Sequence, residues 1–317
     1  MPEMDGGSSY AADSERPQPV VGIVGLGNVG LAAARHLLTA GWPVVGYRRG
    51  SSEDFEALGG TRVSSAREVA ERAQVLLFAL PSAAALEDAL FGPTGILSGA
   101  PRAELAVDLG TFSLEVKLRA QAALARRGVE LLDCPLGGAP QPGSTGRIAL
   151  ALPSGERTAY ERCAGILEAF ATKVLYVGDF GAGSKMKFVC NVLVAEHTVA
   201  AAEAVALGLR AGLDPQLLVD VVGQSPGTSW IWEHRAPLMV SRAYRPPRGS
   251  VDMLRKDLGA ITAFAEAAGC RLPFLEATAR RFDEAAARGY GDHDVAAVFS
   301  VLVEQLDAVE ADSDTAR

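Results

Sequence analysis

Cysteine is scarce in this 317-residue chain: Cys134, Cys163, Cys190 and Cys270 are the whole set, with no C-x-x-C pair and no Cys/His spacing. Neither a disulfide framework nor a metal site is therefore expected, and the usage fits a reducing, cytoplasmic setting. Histidine is as thin. His36, His197, His234 and His293 share no spacing, and each reads as a surface or capping residue. Basic charge is also short, with 30 Lys and Arg against 38 Asp and Glu and a net charge of −8. That balance argues against a sequence-independent nucleic-acid binder. Met1 to Pro19 is rich in Gly, Ser, Pro and charge and lacks an apolar h-region. It is expected to be a disordered lead over 1–19 rather than a signal peptide, and 311–317 a frayed tail. An unbroken membrane-length apolar run is missing too. The longest candidate is interrupted by Asn191, Glu196, His197 and Glu203, which argues against a span.

That candidate is the stretch around which the chain is organised. It reads Gly181-Ala182-Gly183-Ser184-Lys185-Met186-Lys187-Phe188-Val189-Cys190-Asn191 and continues Ala-rich to Gly212. Ser184 is expected to cap a helix that Gly212 stops, a spine of about 42 Å at 1.5 Å per residue. Lys187 and Asn191 are four apart and share a helix face, whereas Lys185 points elsewhere. A lysine near a helix N-terminus and in a cleft has its charged form disfavoured, which suits proton transfer near neutrality. Taken by spacing alone, the pair is equally a solvated lysine beside a structural asparagine.

Before the spine, Val20 to Val24 is a buried-strand run leading into Gly25-Leu26-Gly27-Asn28-Val29-Gly30 and then an amphipathic helix to Gly41. Strand, glycine turn and helix together form the context that a dinucleotide fingerprint requires, with the pyrophosphate at the helix N-terminus. The next strand, Val44 to Tyr47, lacks the acidic residue that usually receives the ribose 2′-hydroxyl. Arg48, Arg49, Ser51 and Ser52 stand there instead. Guanidinium groups match a 2′-phosphate, so NADP(H) is favoured over NAD(H). Strand runs at 75–80, 105–108, 129–132, 148–152 and 173–177 continue the pattern. The Leu80-Pro81 pair, Thr111 and the loop after Asp133 fall at their C-terminal ends. The alternation predicts an α/β fold with a doubly wound, mostly parallel Rossmann-type sheet over 20–180. After Asp179 only helical segments follow, predicting an all-helical substrate and dimerisation domain over 181–310, with the long helix joining the two. Trp230 and Trp232 read as core or interface residues, or as an aromatic wall of a substrate pocket.

With these pieces in order, the chain resembles the β-hydroxyacid dehydrogenase family from about Val20 to Val309. The G-L-G-x-x-G turn is Gly25 to Gly30, and Leu80-Pro81 matches a family strand end. The D-x-S-T motif reads Asp108-Leu109-Gly110-Thr111. The G-x-G-x-x-x-K-x-x-x-N motif is complete as Gly181, Gly183, Lys187 and Asn191. Lys256-Asp257-Leu258 matches K-D-L, and Gly289, Gly291 and Asp294 match G-x-G-x-x-D. The resemblance implies hydride transfer between a nicotinamide and a small hydroxy acid or its semialdehyde or keto form. It makes Lys187 the general acid/base and Asn191 the group that orients it and the substrate. It also places Thr111 near the nicotinamide, has Lys256 close the site over cofactor and substrate, and implies a homodimer or homotetramer.

Two hydroxyls expected from the family pattern are missing. The D-x-P-V-S-G-G loop reads Asp133-Cys134-Pro135-Leu136-Gly137-Gly138-Ala139, with glycine in place of the carboxylate-gripping serine, and Gly110 replaces the serine of D-x-S-T. Backbone N–H groups of Gly137 and Gly138 remain for an anion, and a larger, less polar or differently anchored substrate becomes plausible. Two other functions stand beside the dehydrogenase: an imine reductase, whose relatives usually lack the lysine, and a non-catalytic dinucleotide-binding module.

Overall fold

The structure, a computed structural model, describes residues 18–138, 143 and 145–305. The expected disordered lead up to residue 17, Ala139 and the expected tail over 311–317 lie outside the described residues. Strands β1 (Val21–Val24), β2 (Val44–Tyr47), β3 (Thr61–Arg62), β4 (Val75–Phe78), β5 (Leu105–Asp108) and β6 (Glu130–Asp133) form one parallel sheet in the order β3-β2-β1-β4-β5-β6. Helices α1 (Asn28–Thr39), α2 (Glu53–Ala57), α3 (Ala66–Arg72), α4 (Ala83–Phe91) and α5 (Leu114–Ala125) alternate with them. β1, β4 and β5 are buried at every position, which is why they read as unbroken apolar runs. The register lines up Val24, Phe78, Asp108 and Asp133 across the sheet. The segments after them therefore emerge along one edge, with the reversal of strand order between β1 and β4.

The sheet differs from the expectation in one respect. The strands foreseen at 148–152 and 173–177 do not join it. Instead β7 (Leu136–Gly137), β8 (Ile148–Ala151) and β9 (Ala171–Val174) make a separate three-stranded sheet, β7/β8 antiparallel and β8/β9 parallel. Helix α6 (Arg157–Phe170) connects β8 to β9 and packs on α1.

The remainder is helical: α7 (Ala182–Arg210), α8 (Pro215–Gly223), α9 (Trp230–Ser241), α10 (Val251–Ala267), α11 (Pro273–Ala285) and a last helix over Val295–Gln305. Asp214, Ser229 and Ser250 cap α8, α9 and α10 through Leu217, Trp232 and Met253 N–H groups. α7 runs 29 residues and ends, as expected, at a left-handed Gly212. Its start departs from the expectation. The N-cap is Gly181 in the left-handed region at φ 89°, without a side-chain cap. Ser184 lies inside the first turn, drawn away by a carboxylate from another strand. By length and composition α7 would suffice to cross a membrane, one 18-residue stretch of it having a mean hydropathy of 1.5, so its polar interruptions do not by themselves break the run as the sequence suggested. Its apolar face is accounted for by packing: Phe188, Val199 and Val205 share a core with Trp232, Ile261 and Phe282 of α9, α10 and α11.

Candidate active site

The glycine turn after β1 has the shape of a phosphate cradle. Gly25 sits at φ +102°, and a Cβ there would stand 2.4 Å from the Ala79 carbonyl oxygen. A Cβ on Gly30 would lie 1.9 Å from the Gly25 oxygen, so α1 can lean on the turn only with glycine there. Gly27, by contrast, has no atom of the described residues within 4 Å of its Cβ position. The first turn of α1 carries neither a side-chain cap nor an acidic residue. An open glycine beside an uncapped helix N-terminus fits a dinucleotide pyrophosphate. Leu26 is wholly buried and its carbonyl accepts from Arg48, so it shapes the turn rather than facing a ligand, while Asn28 is exposed and Val29 half-buried.

Arg48 does not project freely. Its guanidinium donates to the Leu26 carbonyl at 2.7 Å and pairs with Asp54 at 2.6 Å, and its Nε donates to the Ser51 carbonyl. Arg49 is exposed; Ser51 is exposed and its hydroxyl accepts from the Glu53 N–H. Ser52, by contrast, is buried with a hydroxyl that has no partner among the described residues. Leu80, half-buried, and Pro81, exposed, follow β4 on the ligand-facing edge.

Across the cleft, α7 and α10 bring the sequence-predicted catalytic residues together. Asn191 is buried and donates to Asp257 Oδ2 at 2.9 Å. Lys256 pairs with Asp257 Oδ1 at 3.0 Å and reaches over to the other wall, donating to the Thr111 carbonyl at 3.0 Å. Lys187 is half-buried on the Asn191 face. Loss of water around its ammonium pushes its pKa below the usual lysine range; Asp257 opposes the shift and Lys256 adds to it. Burial likewise pushes the Asp257 carboxyl up, opposed by Lys256, Lys187 and the Asn191 bond. Lys185 is exposed.

The sequence reading assigned Lys256 and passed over Asp257. Its signal was its place in the K-D-L motif, where one residue of offset turns it from Lys256's direction into the core with Asn191.

Trp232 is core, its indole donating to the Val219 carbonyl at 3.2 Å. Trp230 is exposed at the start of α9 and stacks on His234, 3.9 Å between centroids, rather than joining Lys187 and Asn191. Gly137 pairs with Leu150 in the small sheet, and a Cβ there would meet nothing nearer than 3.5 Å, so a serine would fit. Gly138 holds a left-handed φ of +65°. Gly110 is different: a Cβ would fall 2.3 Å from the Phe112 ring, so the missing hydroxyl and the buried phenylalanine go together.

Residues 20–178 match the family model for the NAD-binding domain of 6-phosphogluconate dehydrogenase. Residues 181–302 match the model described as NAD-binding of NADP-dependent 3-hydroxyisobutyrate dehydrogenase. An L-threonate dehydrogenase from Cupriavidus necator is 34% identical over 89% of this chain and 95% of its own. Among solved structures, 3-hydroxyisobutyrate dehydrogenase from Salmonella typhimurium superposes with a TM-score of 0.79 at 32% identity, covering 89% of this chain and 99% of that one. Another, solved with NADP+ and 2-OPP, gives 0.78 at 26% identity over 89% and 99%. An imine reductase from Myxococcus stipitatus, at 16% identity and a TM-score of 0.60, shares the fold alone. Fold, cradle and cleft thus define an NAD(P)-binding oxidoreductase. The chain belongs to the β-hydroxyacid dehydrogenase family.

Proposed function

We propose that this enzyme oxidises a small hydroxy acid of the kind named for its relatives, L-threonate or 3-hydroxyisobutyrate, or reduces the matching keto acid or semialdehyde. Lys187 serves as general acid/base. The observation that carries this reading is a half-buried lysine of lowered pKa sharing a helix face with an asparagine that a buried carboxylate holds still. In oxidation the neutral amine of Lys187 takes the hydroxyl proton; in reduction the ammonium returns it to the carbonyl oxygen. Asn191, its amide fixed by Asp257, orients the oxygen that Lys187 serves. Lys256 spans the cleft to the Thr111 carbonyl and closes the site beside cofactor and substrate. The bound nicotinamide supplies or accepts the hydride. Gly138 offers its backbone N–H to a substrate carboxylate, whereas the Gly137 N–H faces Leu150 in the small sheet and is committed there.

The cofactor preference is for NADP(H). Arg48 is tied to Asp54 by a two-pronged pair, so a 2′-phosphate is met first by the exposed Arg49 and takes the Arg48 guanidinium by displacing Asp54. Turnover of a panel of hydroxy acids, aldehydes and cyclic imines tests the reaction class: hydroxy acids should turn over and imines should not. Catalytic efficiency should be higher with NADPH than with NADH, and Arg48→Asp should reverse the order. Equal efficiency of the unmutated enzyme with both cofactors would count against the arginine assignment.

The enzyme works in the cytoplasm as a homodimer or homotetramer. Met186, Val189, Cys190, Leu193, Ala200, Ala204 and Leu207 form an exposed, mostly apolar stripe along α7, the kind of patch that marks an association surface. Light scattering at micromolar concentration should give a multimer; a monomer would refute this assembly.

A further inference from the structure

Lys117 on α5 has no exposed surface. Its ammonium lies 2.5 Å from Asp133 Oδ1 and 3.4 Å from Asp108 Oδ2, and it donates to the Gly110 carbonyl at 2.7 Å. Burying an ammonium and two carboxylates is costly even when they pair, and apolar residues of similar volume often do as well or better for stability. Packing alone therefore gives no reason for a lysine here. Burial works against its charge, but Asp108 and Asp133 outweigh that and hold its pKa above the usual lysine range, so the ammonium stays charged.

What the cluster touches supplies a reason. Asp108 accepts from the Gly110 N–H at 2.9 Å, so the loop carrying Thr111 is held at Gly110 by both its N–H and its carbonyl. Asp133 accepts from the Ser184 N–H at 2.7 Å and the Ser184 hydroxyl at 2.9 Å. Ser154 links the same aspartate to the Gly183 N–H. These are the first-turn groups of α7, just ahead of Lys187. The Phe112 ring lies between two lysines, 5.9 Å from Lys117 and 5.3 Å from Lys256. Lys117 therefore stands where the cofactor-side loop and the helix bearing Lys187 meet.

We infer that Lys117 is a positioning residue: by bridging the Gly110 carbonyl and the Asp133 carboxylate, it fixes the loop Leu109–Phe112 relative to the helix that presents Lys187. This rests on Lys187 being the acid/base. Its expected consequence lies in the alignment of the transferring atoms, not in affinity, because Lys117 is sealed from the cleft.

Lys117→Met alone leaves two buried carboxylates facing each other, so the informative variant is Lys117→Met with Asp108→Asn, which removes one charge of each sign and keeps the Asp133 cap. The assay uses whichever hydroxy acid of the panel the unmutated enzyme oxidises fastest, unlabelled and deuterated at its carbinol carbon, with kcat per folded molecule. Misplacing reacting groups by about 1 Å can cost about 10²-fold, so kcat should fall at least about tenfold, KM should move less than about threefold, and the deuterium isotope effect on kcat should rise. Phe112→Leu changes no charge, trims a buried ring beside Gly110 and between the two lysines, and should raise the isotope effect to a lesser degree. A folded double variant with unchanged kcat and isotope effect overturns the inference. Should the double variant not fold, Phe112→Leu decides: an unchanged isotope effect overturns it and a raised one supports it. Lys187→Ala run in parallel keeps the two claims apart, since its retained activity would strike the acid/base assignment itself.

Discussion

Lys187→Ala is expected to lower turnover by about 10²–10⁴-fold, the usual worth of a positioned acid/base. Thermal stability and NADPH affinity should stay close to those of the unmutated enzyme. The side chain is half-buried at a cleft, its ammonium belongs to no core cluster, and Asp257 keeps Lys256 and Asn191 as partners without it. Lys185→Ala, exposed two positions away, is the internal control and should retain most activity. Steady-state kinetics and a thermal melt on both variants check this. Near-normal turnover in Lys187→Ala with loss in Lys185→Ala would shift the motif by two residues.

The second large effect is on cofactor binding. In Gly30→Ala the new methyl carbon would stand 1.9 Å from the Gly25 carbonyl oxygen, a backbone atom that cannot swing aside. Gly25 is itself pinned, its N–H donating to the Tyr47 carbonyl at 2.9 Å. Overpacking of this kind costs about 1–3 kcal/mol, and about 1.4 kcal/mol is tenfold in affinity. Because the displaced turn is the phosphate cradle, NADPH affinity should fall by about 10–100-fold, with a lower melting temperature. Gly27→Ala is the contrasting variant. Its methyl meets no atom of the described residues, so it should leave the melt unchanged and weaken NADPH alone. Fluorescence titration of NADPH separates the two, and equal affinity for both variants and the unmutated protein would dismiss the cradle.

The sheet's parallel, doubly wound character and its ligand-facing edge were legible because a strand buried on both faces must be a short apolar run, and Gly25, Pro81 and Gly110 punctuate three of those runs. Lys187 and Asn191 were legible because helical spacing is rigid. What escaped depended on distant partners. Ser184 reads as a cap, yet Asp133, 51 residues upstream, takes its N–H and hydroxyl. Arg48 reads as a free cation, yet Asp54 and the Leu26 carbonyl hold it. Lys117 sits in an ordinary charged helix by sequence, and only the Asp108–Asp133 register shows why it is buried. The small sheet escaped for a simpler reason: Ile148–Ala151 has the composition of a main-sheet strand, and composition does not say which neighbour a strand will find.

The most direct test of the account is the pH dependence of kcat in both directions. Reduction needs Lys187 protonated, so its rate should fall as pH rises through the pKa of that group. Oxidation needs the neutral amine, so its rate should rise through the same titration. Burial sets that pKa below the ordinary lysine value of about 10.4, so both limbs should appear on the neutral side of it. The account predicts mirror-image limbs in the unmutated enzyme and their disappearance in Lys187→Ala. Limbs that persist unchanged in that variant, or that run in the same sense in both directions, would contradict it.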